Sequence, residues 1–330
     1  MTNRIVCGDA TTELARLSDN TFDCCVTSPP YYGLRDYGAV GQIGLENSVD
    51  EYIDRLTDVF RGVKRVLKPD GTLWVNIADS YSGSRKGASN YPENAKNYKQ
   101  GTNRGSVALP LKTTLAENCK TKDLIGIPFL LAFALRQDGW YWRQVIIWDK
   151  PNCMPESVTD RCTSAHEYIL LFSKSQRYYF DYAAIQEPCV GSDKSSPRGS
   201  LGTVRPNAGR RSVNRTAFQG GAYTNNRAFD NIAVVENVAH GNVPNDTGLR
   251  RKRSVWRVAT VGSKYNHYAT FPPQLVEPCI LAGSRLGGAV LDPFAGTGTV
   301  GVVAQANGRS SVLIDLVPDN VRICKDRLQQ

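Results

Sequence analysis

Residues 22–32 read Phe22-Asp23-Cys24-Cys25-Val26-Thr27-Ser28-Pro29-Pro30-Tyr31-Tyr32, an apolar run that ends in two prolines and two tyrosines. The apolar run predicts a buried strand, and the prolines end it because neither can donate a hydrogen bond to a neighbouring strand. In open α/β sheets, a turn at the carboxyl end of a parallel strand is where binding sites form. This turn offers a hydroxyl, rigid carbonyl groups and two aromatic rings. These groups are better suited to binding a flat, hydrogen-bonding ring than to catalysing hydrolysis.

Strand and helix patterns alternate toward both ends of the chain. Strands are predicted over 5–7, 22–27, 72–78, 141–148, 166–172, 177–181, 288–292 and 310–315, and helices over 11–17, 49–67, 127–136, 272–282, 299–307 and 318–328. We expect Thr11 or Thr12 to cap the first helix, and residues 68–71 to end the second helix and turn the chain. The pattern predicts one doubly wound α/β domain that is interrupted by a smaller module.

Composition restricts the class of protein. The chain has 330 residues, of which 41% are hydrophobic, and no apolar run approaches the roughly 20 residues that span a bilayer. The N-terminal residues enter a strand pattern directly and lack a signal-peptide pattern, so we expect a cytoplasmic protein. Nine cysteines are scattered without a C-x-x-C pair, and there are three histidines. Reduced thiols and no metal site are therefore expected.

The net charge of +9 is concentrated in two polar stretches. Residues 188–257 carry twelve Lys and Arg against four Asp and Glu, and residues 82–106 carry five basic residues against one acidic residue. Basic charge that is confined to polar insertions is expected of a protein that binds a polyanion, although basic loops can also serve solubility. The polar stretch over residues 79–121 is predicted to be a mobile basic insertion.

A second turn with chemical potential follows the strand pattern at residues 289–292. Its glycines, Gly296 and Gly298, let the backbone approach a ligand, and the helix that follows presents unpaired N–H groups. Asp292 before the turn would repel a pyrophosphate, so a ligand with an amino group and a sulfonium fits better than NAD. Asp315 ends the next strand, where an acid can accept from both ribose hydroxyls. Asp9 could bind an adenine amino group or cap the following helix.

Two motifs together carry a resemblance to a known family. Asp292-Pro293-Phe294-Ala295-Gly296-Thr297-Gly298-Thr299 and Thr27-Ser28-Pro29-Pro30-Tyr31 resemble the motifs of S-adenosylmethionine-dependent DNA amino-methyltransferases. The catalytic motif precedes the cofactor motif, as in the circularly permuted beta group of that family. Weaker matches are Gly8-Asp9 and residues 66–71, 147–152 and 267–272.

The resemblance implies a fold and a division of the chain. The expected fold is a Rossmann-like doubly wound sheet of the class I methyltransferase type, circularly permuted, with an inserted target-recognition region. Residues 1–181 would form the catalytic part, residues 182–258 the target-recognition region and residues 259–330 the cofactor-binding part.

The resemblance also implies roles for individual residues. Ser28, Pro29, Pro30 and Tyr31 would be catalytic, with Ser28 and a proline carbonyl holding the exocyclic amine of a flipped base and Tyr31 stacking on that base. S-adenosyl-L-methionine would be bound by Asp9, Phe271, Asp292, Pro293, Phe294, Ala295, Gly296, Thr297, Gly298, Thr299 and Asp315. Phosphates of double-stranded DNA would be bound by Arg210, Arg211, Arg250, Arg251, Lys252 and Arg253. A homodimer and a cognate restriction endonuclease are further suggested partners.

Several alternatives stay open. Ser28 favours cytosine N4 as the target, because adenine-specific relatives usually have Asp or Asn at this position. Adenine-N6 methylation, a catalytically silent DNA-binding protein on the same fold and an NAD-dependent Rossmann enzyme are the alternatives, and RNA is a less favoured substrate. His166 and Glu167 are expected to satisfy local hydrogen bonds from opposite faces of a strand. Trp140, Trp142 and Trp148 are expected in the core or in a cleft wall.

Overall fold

The computed structural model describes residues 3–83, 116, 118–189, 248–262 and 272–329. Most of the predicted insertion, together with Arg210, Arg211 and Phe271, lies outside these ranges. Within them, no helix combines the length and the apolar character needed to cross a membrane. The cytoplasmic location stays a prediction.

Eight strands form one sheet. They are β1 (Asn3–Cys7), β2 (Phe22–Thr27), β3 (Leu67–Ile77), β4 (Tyr141–Asp149), β5 (His166–Ser173), β8 (Val255–Arg257), β9 (Ala289–Asp292) and β10 (Ser310–Asp315). Their order across the sheet is β1-β10-β9-β2-β3-β5-β4-β8. Neighbouring strands from β1 to β3 are parallel, β5 is antiparallel to β3 and β4, and β8 is parallel to β4. The predicted α/β class with a mostly parallel sheet is confirmed.

Helices cover both faces of this sheet. They are α1 (Ala10–Ala15), α2 (Val49–Val66), α3 (Ile127–Gln137), α4 (Pro273–Gly283), α5 (Thr299–Ala306) and α6 (Pro318–Leu328). One hydrophobic cluster contains the buried side chains of α1, α2 and α3, and a second contains those of α4 and α5. Strand β2 divides between them, with Cys25 in the first cluster and Cys24 and Val26 in the second. A strand that is covered on both faces needs apolar side chains on both, which explains the unbroken apolar run.

The chain separates into two compact units. One contains residues 1–185 and 253–330, and the other contains residues 186–252. The described part of the second unit is a short antiparallel pair, β6 (Glu187–Pro188) with β7 (Leu249–Arg250). The domain boundaries and the circular permutation expected from the sequence stay predictions.

Three local predictions were wrong. Residues 68–71 do not turn the chain after α2, because Leu67 is already extended (φ −70°, ψ 144°) and β3 begins there. Phe22 pairs with Leu67 and Cys24 with Thr72, so the residues between form a bulge, where a proline is tolerated. Residues 177–181 form no strand, since the N–H groups of Tyr179 and Asp181 donate to the carbonyls of Asp70 and Ala282. Asp9, not a threonine, caps α1.

Candidate active site

A cavity of about 1030 Å³, including its part open to solvent, lies at the carboxyl edge of the parallel strands. Residues that follow β1, β2, β9 and β10 meet there, as expected for an open α/β sheet. The predicted site residues that line it are Asp9, Ser28, Pro29, Pro30, Tyr31, Pro293, Phe294, Ala295, Gly296, Thr297, Thr299 and Asp315. Asp292 and Gly298 lie behind the cavity wall. The structure therefore brings the two sequence motifs to one site.

The turn after β9 needs its glycines. Gly296 and Gly298 have φ values of +52° and +77°, in the left-handed region that favours glycine. A Cβ atom on Gly298 would lie 2.9 Å from Cys324 Sγ, so α6 packs against the turn as closely as glycine allows. This close packing holds the start of α5 and its first N–H groups at the cavity.

The Asp315 carboxylate closes this turn from the end of β10. Its oxygens accept hydrogen bonds from Gly296 N–H (2.7 Å), Val317 N–H (2.9 Å) and Asn320 Nδ2 (2.9 Å). Burial raises the pKa of Asp315, and these three hydrogen bonds oppose the rise. A carboxylate has roughly four acceptor sites, and these three donors occupy three of them. About one acceptor site therefore remains for a ligand hydroxyl.

Asp292 connects the two motifs rather than lining the cavity. Its Oδ1 accepts from Thr27 Oγ1 at 2.7 Å and from Phe294 N–H at 3.1 Å, which ties the residue before Ser28 to the glycine turn. Its Oδ2 is buried and has no hydrogen-bond partner among the described residues. Burial raises the pKa of Asp292 to about 7.

Asp9 caps the first helix and also lines the cavity, while its predicted contact with an adenine amino group stays a prediction. It lines the cavity, and its Oδ1 accepts from Thr12 N–H at 2.9 Å and from Thr12 Oγ1 at 3.0 Å. The carboxylate is the N-cap of α1, and it keeps further acceptor capacity toward the cavity.

The Pro-Pro turn after β2 is fixed by contacts from its surroundings. The Tyr52 hydroxyl donates to the Pro30 carbonyl at 2.8 Å, and Gly33 N–H donates to the Gly44 carbonyl at 2.6 Å. Among the described residues, no donor contacts the Pro29 carbonyl. Ser28 and Pro29 both line the cavity, which makes Ser28 Oγ and the Pro29 carbonyl candidate acceptors for a ligand.

Three side chains that sequence reasoning missed lie behind Ser28 and Tyr31. Glu167 Oε2 accepts from the Tyr31 hydroxyl at 2.7 Å and from Asn76 Nδ2 at 3.0 Å, and Lys150 forms an ion pair with Oε1. Asn76 Nδ2 also lies 3.0 Å from the Tyr31 hydroxyl oxygen and 3.4 Å from Ser28 Oγ. The prediction that Glu167 makes only local contacts was wrong. His166 does contact its near neighbour Tyr168, at 3.1 Å.

Strand register explains how these side chains meet. Asn76 pairs with Ile169 across β3 and β5, and Trp148 pairs with Glu167 across β4 and β5. The carboxyl ends of β3 and β4 therefore lie beside the amino end of β5, at the same sheet edge as Ser28. The strand pairing is a long-range property, so alternation within β5 could not reveal the contact.

The Tyr31 hydroxyl is neutral in this setting. Burial raises the pKa of Tyr31 well above its ordinary value, and the neighbouring Glu167 carboxylate raises it further, while hydrogen bonding with Ser28 opposes the rise.

Trp140 and Trp148 are buried and Trp142 stacks on Phe172, so the expectation of core positions is confirmed.

A loop over residues 34–43, where no strand or helix is predicted, forms a further part of the wall. Arg55 on α2 holds it by donating to the carbonyls of Gln42 (3.1 Å) and Gly41 (2.7 Å) and to Glu46 Oε1 (2.8 Å). Tyr37 of this loop lines the cavity, and burial raises the pKa of its hydroxyl.

The predicted DNA-binding residues lie apart from this cavity in the sequence. Within the second unit, Arg250 Nε donates to Glu187 Oε1 at 2.9 Å and joins β7 to β6. The Arg253 carbonyl accepts from Trp256 Nε1 at 2.7 Å in the first unit. Phosphate contacts by Arg250, Arg251, Lys252 and Arg253 stay a prediction.

No group of three or more His, Cys, Asp or Glu is arranged for a metal ion within the part of the chain that the structure describes.

The sheet order and the cavity between two strand-end turns define a Rossmann-like fold of the class I methyltransferase type. The PvuII DNA methyltransferase, which is cytosine-N4-specific, shares it with a TM-score of 0.60 at 17% identity, over 99% of this chain and 86% of that chain. A putative DNA modification methylase from Thermus thermophilus, complexed with S-adenosyl-L-methionine, has a TM-score of 0.55 at 21% identity, over 99% and 93% of the two chains.

Similarity in amino-acid sequence indicates the family, whereas the structural neighbours show the fold alone. The family model described as DNA methylase, of the N6 and N4 type, matches residues 22–326. The Type II methyltransferase M.SmaI of Serratia marcescens is 41% identical over 98% of this chain and 90% of its own length. M.Cfr9I of Citrobacter freundii, another Type II methyltransferase, is 40% identical over 98% and 86%. The chain belongs to the S-adenosyl-L-methionine-dependent DNA amino-methyltransferases of the N6 and N4 family.

The residues present fit the cofactor of this family. Asp9 and Asp315 place acceptors at the cavity for amino and hydroxyl groups, and apolar residues such as Phe294 and Ile43 line it beside them. Such surroundings favour a cationic ligand over a pyrophosphate.

Proposed function

We propose that this protein methylates the N4 exocyclic amine of cytosine in double-stranded DNA. The observation that carries the proposal is that Ser28 and Pro29 line the same cavity as the glycine turn. Family membership supplies the reaction class, and Ser28 in place of Asp or Asn supports cytosine. The PvuII enzyme, which has this fold, is named for the same base.

Positioning is the main task of these residues. When bound, S-adenosyl-L-methionine supplies a methyl group on a sulfonium sulfur. The cytosine amine is a weak nucleophile because its lone pair is delocalised into the ring. If Ser28 Oγ and the Pro29 carbonyl accept its two N–H groups, the nitrogen becomes pyramidal and its lone pair points into the cavity. Pre-set acceptors of this kind lower the barrier through orientation and partial charge.

The base reaches this site only after it leaves the DNA stack. The Tyr31 ring lies at the cavity and offers a stacking surface for the flipped base, while its hydroxyl is held by Glu167. Because the hydroxyl is already bonded, the ring is held in place before the base arrives.

Cofactor contacts follow from the same wall. Asp315 would accept from a ribose hydroxyl, Asp9 from the adenine amino group, and the backbone around Pro293, Ala295, Thr297 and Thr299 would line the ligand. Asp292 and Gly298 would act from behind, by holding the turn.

The basic residues and the relatives suggest the biological setting. The twelve Lys and Arg between residues 188 and 257 would bind phosphates and hold the target-recognition region on DNA. Since M.SmaI and M.Cfr9I are Type II methyltransferases, we place this protein in a restriction-modification system, where it would protect DNA from a cognate endonuclease. Homodimer formation is part of the same proposal.

Purified protein tests the reaction directly. The protein is incubated with labelled S-adenosyl-L-methionine and duplex DNA, and the DNA is digested to nucleosides. We expect the label in the deoxynucleoside of N4-methylcytosine. Labelled N6-methyladenine alone would replace cytosine with adenine as the target, and the absence of transfer to any duplex would favour a silent DNA-binding protein.

A further inference from the structure

Glu167 is an acidic side chain behind the proposed amine site, and its contacts reach beyond the Tyr31 hydroxyl that it holds. Its side chain is 13% exposed and it shares its ion pair with Lys150, whose side chain is 17% exposed. Lys150 Nζ also lies 4.4 Å from the centre of the Trp148 ring. The Lys150 ammonium thus compensates the charge of this mostly buried carboxylate.

An ionised carboxylate can only accept hydrogen bonds, and this fixes the orientation of its two partners. The Tyr31 hydroxyl must donate to Oε2, at 2.7 Å. The Asn76 amide must turn its NH₂ group toward the same oxygen, at 3.0 Å. Its Oδ1 then points away and has no donor among the described residues, so the orientation of the amide depends on the carboxylate.

The oriented amide reaches Ser28. Asn76 Nδ2 lies 3.4 Å from Ser28 Oγ and 3.0 Å from the Tyr31 hydroxyl oxygen, so one NH₂ group faces both residues of the motif. A reversed amide would instead place its oxygen against the Glu167 carboxylate, where two acceptors would repel each other, and would turn the Ser28 hydroxyl into a donor to that oxygen. The carboxylate therefore determines which groups of the motif face the ligand.

We propose that Glu167 is the positioning residue of the amine site, and that it acts through Asn76 and Tyr31 to keep Ser28 Oγ an acceptor for the target amine. This inference rests on the proposed methyl transfer and deepens it. Glu167 does not line the cavity, so it contributes without contact to either substrate.

The test is single-turnover methyl transfer at saturating DNA and S-adenosyl-L-methionine, which separates the chemical step from binding. Glu167→Gln keeps the shape but lets the side chain donate, so the amide of Asn76 can reverse. We expect the transfer rate to fall about 100-fold, comparable with loss of one pre-set donor, while both Kd values stay within about 3-fold of wild type. Glu277→Gln, an exposed substitution of the same type on α4, is the matched control and should transfer at the wild-type rate.

A double-mutant cycle distinguishes positioning from general damage. If Glu167 acts through Tyr31, the double variant Tyr31→Phe with Glu167→Gln should be clearly less impaired than the product of the two single losses. Losses that multiply would overturn the proposal, as would a wild-type rate in Glu167→Gln.

Removal of one charge leaves Lys150 without its partner, so folding must be controlled. The paired variant Glu167→Gln with Lys150→Met removes both charges and should show the same rate loss as Glu167→Gln, with a thermal midpoint close to wild type. Full activity in this paired variant would contradict the role of the carboxylate. If the wild-type protein transfers no methyl group, both the proposed function and this inference are wrong. If wild type and Glu167→Gln are equally active, the proposed function stands and only this inference is wrong.

Discussion

At the scale of single residues, Asp292 shows how one buried acid can connect two motifs. Its Oδ1 joins Thr27, next to the catalytic motif, to the N–H of Phe294 in the cofactor turn. The acid is 1% exposed, and the described residues give its second oxygen no partner. Its position behind the wall suits a bracing role that the motif spacing alone did not indicate.

The titration of Asp292 gives a first prediction. Its pKa is about 7 in the folded chain, against 3.8 for an ordinary aspartate, so the folded state binds this proton more tightly than the unfolded state does. The resulting stabilisation is complete below about pH 4 and is lost as the pH rises through 7. Asp292→Asn removes this titration, so the variant does not lose the stabilisation that wild type loses as the pH rises. The thermal midpoint of the variant minus that of wild type, both measured without cofactor, should therefore be larger at pH 7.5 than at pH 5.

The control for this measurement is Asp326→Asn, an exposed substitution of the same type on α6. The difference in thermal midpoint between Asp326→Asn and wild type should change less from pH 5 to pH 7.5 than the difference for Asp292→Asn. A constant difference between Asp292→Asn and wild type would show that Asp292 does not titrate between pH 5 and 7.5.

Asp9 permits its two roles to be separated. Asp9→Ser and Asp9→Ala both remove the carboxylate from the cavity, but serine still caps α1. We expect both variants to bind S-adenosyl-L-methionine about 10-fold more weakly, and only the alanine variant to lose about 1 kcal/mol in the free energy of unfolding. Calorimetric titration and urea unfolding measure the two effects. Unchanged affinity in both variants would leave Asp9 as a cap alone.

At the scale of elements, the structure shows which sequence signals were sufficient. The helices predicted over 49–67 and 127–136 match α2 and α3 to within one residue at each end. The two motif turns were predicted at their correct strand ends, since each carries strong local signals in proline or glycine. Local chemistry therefore predicted the sheet edge that holds the site.

The remaining features depend on contacts between distant residues. The bulge at residues 68–71 arises from pairing with β2, which the Pro-Asp-Gly turn signal does not contain. Glu167 meets Tyr31 through the register of three strands, and residues 34–43 become a cavity wall because Arg55 holds them there. None of these features has a local sequence pattern, so sequence reasoning missed them.

The packing of the glycine turn on α6 gives an element-scale prediction. Gly298→Ala places a methyl group in a backbone with φ +77°, and 2.9 Å from Cys324 Sγ. The conformation alone costs about 1–2 kcal/mol, and the contact adds to it. Urea unfolding should show a larger loss than in Gly287→Ala, which has φ +75° and no atom within 4 Å of the new Cβ. Equal losses would mean that α6 moves away at little cost.

At the scale of the whole molecule, the charge distribution and the cavity serve different parts of the proposed reaction. The cavity is lined by Asp9 and Asp315 beside apolar residues and Arg35, while two polar stretches of the sequence, residues 82–106 and 188–257, carry a marked excess of basic over acidic residues. Acidic surroundings suit a cationic cofactor, and basic segments suit DNA phosphates.

Salt dependence tests the predicted DNA-binding residues. Arg251→Gln and Lys252→Gln should each weaken binding to all duplexes alike and reduce the slope of log K against log salt concentration by about one. Lys325→Gln, an exposed lysine outside both basic stretches, is the control and should leave the slope unchanged. Titrations of a labelled duplex at several salt concentrations give these slopes. An unchanged slope in both variants would remove these residues from the DNA interface.

The proposed role of Ser28 in the methylation of cytosine N4 can be tested in cells. DNA from cells that express either the wild-type chain or Ser28→Ala is sequenced with a method that reports base identity and context. We predict N4-methylcytosine in one recurring sequence context with the wild-type chain, and its near-complete loss with Ser28→Ala at equal protein level. Methylated adenine in place of methylated cytosine, or full cytosine methylation by Ser28→Ala, would contradict the claim.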